Sequence, residues 1–321
     1  MTEWFIGVEI GASKIQLALG DGDGTLLYRR HYGVVLKDGA EGILCRLKSA
    51  IPEAIEYART RGSAVKGIGV GFGGILESAA GRSLASVQVE GWKDFPVKDW
   101  FEKQFVLPVL VLNDTVAGGC GEYYRSSDRK ATVYFYTNIG SGIGGCLLYN
   151  GRYFDGAGFG AVYFGHTYIP DPFAASSGAF TKVETLCSGF GIEHRLNSSG
   201  YVPETSLLYT LAAGGPYRCA MLGEAAENRD AFALAEINRI ADSYALGLSN
   251  VITLFGVQQV VIGGGVIKLG ELLLSPIRKF TEKYVFLSAS GRYTITQSRL
   301  MDDAVLVGAI VAASGRVGAM D

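Results

Sequence analysis

The chain lacks the features that mark secreted, membrane-bound and nucleic-acid-binding proteins. Its five cysteines among 321 residues are odd in number and form no Cys-x-x-Cys pair, which predicts reduced, buried thiols. The formal net charge is only -2, with acidic and basic residues mixed along the chain, so no nucleic-acid or membrane partner is predicted. The first residues pass into a predicted strand without the basic and apolar regions of a signal peptide. We therefore expect a cytoplasmic protein that acts on small molecules.

Charge is also missing from one long apolar stretch, residues 245–267. The stretch is long enough to suggest a transmembrane helix, but Asn250, Gln258, Gln259 and glycines 263–265 would then lie in hydrocarbon. We predict instead a buried helix followed by a buried strand. The sequence has no Gly-Lys dipeptide either, which excludes a Walker A phosphate loop.

Glycine, by contrast, is abundant and clustered. The 45 glycines are about twice the usual share of roughly 7%. A strand, a Gly-rich turn, a second strand and a hairpin turn occur in this order twice, with predicted strands at 5–11, 14–20 and 25–30 in the first copy and at 132–139 and 146–149 in the second. The first copy turns at 11–14 and 21–24, the second at 140–145 and 150–151. The repetition predicts two related domains.

The remaining periodicity predicts an α/β protein. Apolar residues keep helical spacing over 44–58 and 237–255, and short apolar runs at 67–72, 109–112 and 259–262 are typical of strands covered on both faces. A chain of this length favours two domains. We place the boundary at the helix around 117–124: an N-terminal domain at 1–116, onto which 304–321 returns, and a C-terminal domain at 117–303.

One carboxylate is placed for chemistry. Asp114 ends an apolar strand, just before a small-residue helix start. Such a carboxylate can accept a proton from a hydroxyl, and Gly-rich turns let backbone N–H groups approach phosphate oxygens. Together these features suggest phosphoryl transfer to an alcohol. The structural alternatives are a helix N-cap for Asp114 and ordinary hairpins for the turns.

Seven motifs, in the same order along nearly the whole chain, resemble the ROK family of sugar kinases; they lie at 7–14, 69–74, 91–92, 112–114, 137–145, 165–166 and 262–265. The resemblance implies an α/β fold of two duplicated ribonuclease-H-like (actin-like ATPase) domains around an interdomain cleft. It also implies an ATP-dependent hexose kinase that uses Mg²⁺ and forms a homodimer.

The resemblance implies a role for each matching residue. Asp114 would be the general base. The sugar would contact Gly73, Gly74, Asn113, Asp114, His166 and Glu184. ATP would contact Glu9, Gly11, Ala12, Ser13, Lys14, Thr137, Gly140, Ser141, Gly142, Gly263, Gly264 and Gly265. Glu9 stands where the family usually has Asp, so it would also hold Mg²⁺, directly or through water.

The chain departs from the family around the sugar. Family members commonly hold a structural zinc with a histidine and three cysteines, but the matching positions here are Ala175, Ser177 and Lys182, so no structural zinc is expected. Tyr163 also stands where the family has a sugar-binding glutamate. A catalytically inactive sugar-binding or regulatory homologue is therefore the alternative. The family's transcription regulators carry an N-terminal helix-turn-helix, which we do not expect because the first strand begins by Phe5.

Overall fold

The computed structural model describes residues 3–86, 89–126, 131–174 and 178–320. Within them the strands are β1 (Glu3–Ile10), β2 (Lys14–Asp21), β3 (Leu26–Gly33), β4 (Ala64–Phe72), β5 (Ile75–Glu77), β6 (Arg82–Ala85), β7 (Val109–Asn113), β8 (Val133–Asn138), β9 (Gly145–Tyr149), β10 (Arg152–Tyr153), β11 (Tyr168–Pro170), β12 (Phe180–Lys182), β13 (Gln259–Gly263) and β14 (Thr294–Gln297).

The α-helices are α1 (Gly39–Arg59), α2 (Val97–Phe105), α3 (Asp114–Arg125), α4 (Val183–Cys187), α5 (Gly189–Leu196), α6 (Leu207–Ala212), α7 (Cys219–Glu227), α8 (Ala231–Phe255), α9 (Glu271–Tyr284) and α10 (Ala304–Ala313). Short 3₁₀ helices lie at Leu36–Asp38, Phe164–His166, Val266–Leu269 and Met301–Asp303.

The first large sheet has the order β3-β2-β1-β4-β7. Its first three strands pair antiparallel as a meander, whereas β4 pairs parallel to β1, and β7 pairs parallel to β4. Strand β1 is buried on both faces because Ile6, Val8 and Ile10 belong to the same core cluster as residues of α1, and Phe5 packs with residues of α10. A strand covered on both sides reads as a continuous apolar run, as this one does.

The second large sheet repeats the first. Its order is β10-β9-β8-β13-β14. When the strands of each sheet are numbered by their order in the chain, both sheets run 3-2-1-4-5. The repeated strand and turn pattern in the sequence therefore corresponds to a duplicated topology, and the α/β prediction is confirmed.

Glycines in β4 and α10 let helices approach closely. A Cβ atom added to Gly69 would overlap the carbonyl oxygen of Ala309, and one added to Gly308 would overlap that of Ala117. These glycines therefore serve helix packing.

The chain divides into two compact units, which we describe separately. The first contains residues 1–136, 146–162 and 299–321, and the second contains 137–145 and 163–298. Helix α10 packs on α3, β1 and β4 within the first unit. The predicted boundary after residue 116 stays a prediction.

The uncharged stretch at 245–267 folds as predicted, since it forms the end of α8 and then β13. Most of its apolar residues are buried. In the part of the chain that the structure describes, no helix is both long and apolar enough to cross a membrane.

Candidate active site

Helix α3 begins where β7 ends, and a side chain caps it. Asn113 Oδ1 accepts hydrogen bonds from the backbone N–H groups of Thr115 at 3.0 Å and Val116 at 3.3 Å. The Asn113 amide nitrogen donates to the Gly74 carbonyl at 3.2 Å, and lies 3.5 Å from the Phe72 carbonyl. Asn113 is therefore the helix N-cap. Asp114 is the first helical residue, so capping does not explain why an acid stands there.

Asp114 lies beside the turn that follows β4. The N–H of Gly73 donates to the Ile10 carbonyl at 2.8 Å, and a Cβ atom added to Gly73 would lie 3.3 Å from Asp114 Oδ2. Burial raises the pKa of Asp114 to about 6, and the negative charge of Glu9 acts in the same direction, against hydrogen bonds from Thr115 and the charge of Lys14. A partly exposed carboxyl that titrates near neutrality suits a group that accepts a proton.

Glu9 is buried in β1, yet both of its oxygens have protein partners. Lys14 Nζ lies 3.1 Å from Oε1, and Gln16 Nε2 donates to Oε2 at 2.5 Å. Gln16 is placed there by the antiparallel register, in which it lies directly opposite Glu9. These contacts account for a buried carboxylate without a metal ion. They do not fit Glu9 as a direct magnesium ligand, so we derive no step through a metal held by the protein.

The turn between β1 and β2 presents free backbone amides. The N–H of Gly11 closes the turn by donating to the Lys14 carbonyl at 3.0 Å. Among the residues described, none accepts a hydrogen bond from the N–H groups of Ala12 and Ser13. Two successive unpaired N–H groups in a turn form a concavity that binds anions.

The turn between β8 and β9, in the second unit, has the same arrangement. The N–H of Gly140 donates to the Gly142 carbonyl at 3.0 Å, that of Ile143 to Glu184 Oε2 at 2.8 Å, and that of Gly144 to Asn138 Oδ1 at 2.7 Å. The N–H groups of Ser141 and Gly142 have no acceptor within the described ranges. Each copy of the repeated topology therefore offers two adjacent amides that are free to bind an anion.

Thr137 holds this second turn from inside. Its buried hydroxyl donates to the Gly144 carbonyl at 2.7 Å and accepts from the Tyr244 hydroxyl at 2.9 Å. With both bonds made to protein, the hydroxyl supports the turn, and the geometry does not favour the predicted direct contact with phosphate. Tyr244 was not among the predicted site residues. Helical spacing predicts its place on the core face of α8, but nothing in the sequence predicts the partner of its hydroxyl.

The glycines after β13 contact the same turn. The N–H of Ile139 donates to the Gly263 carbonyl at 2.9 Å. Gly264 has a φ of +91°, and a Cβ atom added there would lie 2.5 Å from the carbonyl carbon of Ile139. Gly265 is exposed, with open space where a side chain would be. Close backbone packing therefore requires Gly264, whereas Gly265 leaves an open surface beside the turn.

His166 and Glu184 flank the β11–β12 hairpin. His166 is exposed, and its Nδ1 lies 3.3 Å from Lys182 Nζ. Because an ammonium group can only donate, Nδ1 is the acceptor and Nε2 carries the ring hydrogen. Glu184 contacts the 140–144 turn through Ile143.

No cluster of three or more His, Cys, Asp or Glu side chains suitable for a metal occurs in the described ranges. Ala175 and Ser177 lie outside the described residues, so the expected lack of zinc stays a prediction.

The structure thus forms two groups from the predicted residues. In the first unit, Glu9 and Lys14 lie with the 11–14 turn, Gly73, Gly74, Asn113 and Asp114. In the second, Thr137, the 140–144 turn and Glu184 lie with Gly263, Gly264 and Gly265. His166 follows Gly165, which packs closely on that turn, since a Cβ atom added to Gly165 would overlap the carbonyl oxygen of Ile143.

Two copies of one mixed five-stranded sheet, each with a Gly-rich turn after its first strand, define the two-domain actin-like ATPase fold. Within that class, the model of the ROK family matches residues 5–316, and the chain belongs to the ROK family.

The chain is 29% identical to a glucokinase of Halalkalibacterium halodurans over 309 residues, 95% of this chain and 93% of that protein. It is 25% identical to the xylose repressor of Caldicellulosiruptor bescii, over 95% of this chain and 76% of that protein. The crystal structure of a ROK family glucokinase from Streptomyces griseus, in complex with glucose and AMPPNP, superposes with a TM-score of 0.82 at 27% identity, covering 97% of this chain and 99% of that chain.

Proposed function

We propose that the protein is an ATP-dependent kinase that phosphorylates a hydroxyl of a hexose or hexose derivative. The observation that carries the proposal is Asp114, a partly exposed carboxyl at a helix start whose pKa is raised to about 6. The duplicated turns with free amides support it, because they offer phosphate sites in both copies of the fold. The similarity to glucokinases supports sugar and ATP as the substrates.

The proposed reaction is a direct phosphoryl transfer. A sugar hydroxyl donates a hydrogen bond to the Asp114 carboxylate, and its oxygen attacks the γ-phosphorus of ATP. The new P–O bond forms as the bond to the β-phosphate oxygen breaks, the hydroxyl proton passes to Asp114, and ADP leaves. Free amides at Ala12, Ser13, Ser141 and Gly142 stabilise negative charge on the phosphates.

The remaining predicted residues bind and orient the substrates in this proposal. The sugar contacts the backbone of Gly73 and Gly74 beside Asp114. A Cβ atom added to Gly74 would lie 2.6 Å from the Phe72 ring, so this glycine is required by packing as well. The Nε2–H group of His166 donates a hydrogen bond to a sugar hydroxyl. Glu184 and Asn113 also contact sugar hydroxyls, through the hydrogen-bonding positions that their protein contacts do not use. Gly263, Gly264 and Gly265 border the adenosine. Thr137 acts indirectly, by holding the turn.

Magnesium enters as part of the Mg-ATP substrate, where phosphate oxygens and water supply most of its ligands and the ion neutralises phosphate charge. A water-bridged contact from Glu9, cytoplasmic location and homodimerisation stay predictions.

The test is an assay of ADP release with Mg-ATP and a panel of hexoses, for the wild type and for Asp114→Asn. The proposal expects sugar-dependent ADP release by the wild type and its loss in the variant. The matched control is Asp303→Asn, because Asp303 is an acid of the same unit that pairs with Arg29 at 2.9 Å and has no proposed role in the reaction. Wild-type protein that binds hexoses but phosphorylates none would refute the kinase proposal.

The second candidate is a sugar-binding regulatory protein without catalysis. The match to a xylose repressor over 95% of this chain favours it. The pairing of Glu9 with Lys14 and Gln16 is compatible with it, since these contacts stabilise the site without a metal ion. Calorimetric titration with sugars, in the absence and presence of ATP, separates the two: the kinase consumes ATP after mixing, whereas the regulator only binds.

A further inference from the structure

We propose that Phe173 fastens the segment that follows β11, residues 171–173, to two arginines that share one buried carboxylate, and that this fastening positions His166 and Glu184. The fastening stands on contacts within the second unit alone. Its effect on sugar binding rests on the function proposed above.

The anchor point is a charged network around Glu236 of α8, whose side chain is fully buried. Arg195 Nε donates to Oε1 at 2.7 Å, while Arg239 at 2.9 Å and the Tyr201 hydroxyl at 2.7 Å donate to Oε2. Two guanidinium groups therefore share one carboxylate, which leaves one positive charge without an anionic partner inside the network.

The Phe173 ring covers both guanidinium groups. The Arg195 Cζ atom lies 4.5 Å from the ring centroid, and the Arg239 Cζ atom lies 5.4 Å from it. The Arg195 side chain is only 10% exposed. A cation over a ring face is attracted by the ring quadrupole, and the attraction is strongest where water is excluded. An aliphatic side chain of similar size would fill the space without this attraction.

The fastened segment leads directly to the two predicted site residues. Asp171 N–H donates to the Ala179 carbonyl at 2.9 Å, and Phe173 N–H donates to Asp171 Oδ1 at 2.9 Å. Strands β11 and β12 then pair antiparallel, and Val183 N–H donates to the Thr167 carbonyl at 3.0 Å. His166 immediately precedes Thr167, and Glu184 immediately follows Val183. A shift of Asp171 and Phe173 is therefore transmitted through the paired strands to His166 and Glu184.

The experiment compares Phe173→Leu, which removes the ring, with Phe173→Trp, which keeps it. Phe180→Leu is the matched control because Phe180 is a ring on β12 of the same hairpin that is 64% exposed. Amide hydrogen exchange at Asp171, Phe173, Thr167 and Val183 reports the fastening in the full-length protein without any ligand. Sugar dissociation constants, and kcat and KM where the protein is active, report its effect on the site.

We expect Phe173→Leu to speed exchange at these amides about tenfold and to weaken sugar binding about three- to tenfold, with kcat changed by less than about twofold. The variants Phe173→Trp and Phe180→Leu should resemble the wild type in both measurements. Wild-type exchange in Phe173→Leu overturns the fastening. Faster exchange at Asp171 and Phe173 alone, with Thr167 and Val183 unchanged, overturns the positioning. If the wild type binds no sugar, the proposed function fails, while the exchange pattern still decides this inference.

Discussion

Replacing Asp114 by Asn should separate catalysis from folding. The amide keeps the size and shape of the carboxylate but cannot accept the hydroxyl proton. If Asp114 is the general base, kcat should fall by about 10²- to 10⁴-fold, and the KM for sugar should change by less than about threefold. Steady-state ADP release at saturating Mg-ATP measures both constants.

The pH dependence of the wild type provides an independent measurement. Because the pKa of Asp114 is raised to about 6, the proton-accepting form predominates only above that pH. The value of kcat/KM should therefore rise with pH and bend near 6. At pH 5 roughly one tenth of the carboxyl is ionised, so the rate should be about tenfold below its plateau.

The same raised pKa predicts that stability changes with pH in the direction opposite to activity: kcat/KM rises with pH, whereas the free energy of unfolding falls. The ordinary pKa of an aspartate side chain is 3.8, and that of Asp114 in the folded protein is about 6. Between these two pH values the folded protein binds the proton more tightly than the unfolded chain, so the free energy of unfolding falls as pH rises. The shift corresponds to at most about 3 kcal/mol, and solvent near this partly exposed group reduces it to roughly 1–2 kcal/mol. The Asn variant should be more stable than the wild type at pH 8 by this amount, and equally stable below about pH 4. Urea unfolding at both pH values measures the difference.

Two results would refute this reasoning. Wild-type kcat in the Asn variant would show that the carboxylate is not the base. A stability difference that is the same at pH 4 and pH 8 would show that the carboxyl is not perturbed in the folded protein, whatever its role in catalysis.

Three further changes test the rest of the site. Glu9→Gln removes a negative charge close to the proposed base, so the bend in the pH profile should move to lower pH by up to about one unit; an unmoved bend would count against this coupling. Gly264→Ala should destabilise the protein by about 2–4 kcal/mol in thermal unfolding, because of its positive φ and close packing, whereas Gly265→Ala should leave stability within about 0.5 kcal/mol. Thr137→Val and Tyr244→Phe should each raise the KM for ATP about fivefold. The double variant should have nearly the same KM as either single variant, because the two hydroxyls form one chain of hydrogen bonds. Additive effects would show that the two hydroxyls act separately.

Much of the fold was predictable because its signals are local. Apolar runs bounded by turns predicted β1, β2 and β13 to within two residues at each end, and helical apolar spacing predicted α8 except for its first turns. The repeated Gly-rich turns predicted the duplication, since a turn with free amides needs small residues at fixed places after a strand. The candidate base was also predictable, because an acid at a strand end before a helix is visible in the sequence itself.

The sequence by itself thus determined where strands end and turns form, because backbone geometry and burial restrict the residue types at those positions locally. Only the tertiary structure decided what those residues contact. The β1–β2 register gives Glu9 its partner Gln16, and the core joins Thr137 to Tyr244 across 107 positions of the chain. It likewise places Phe173 over the arginines bound to Glu236. Such pairs depend on which surfaces meet when the chain packs, and no local pattern encodes that.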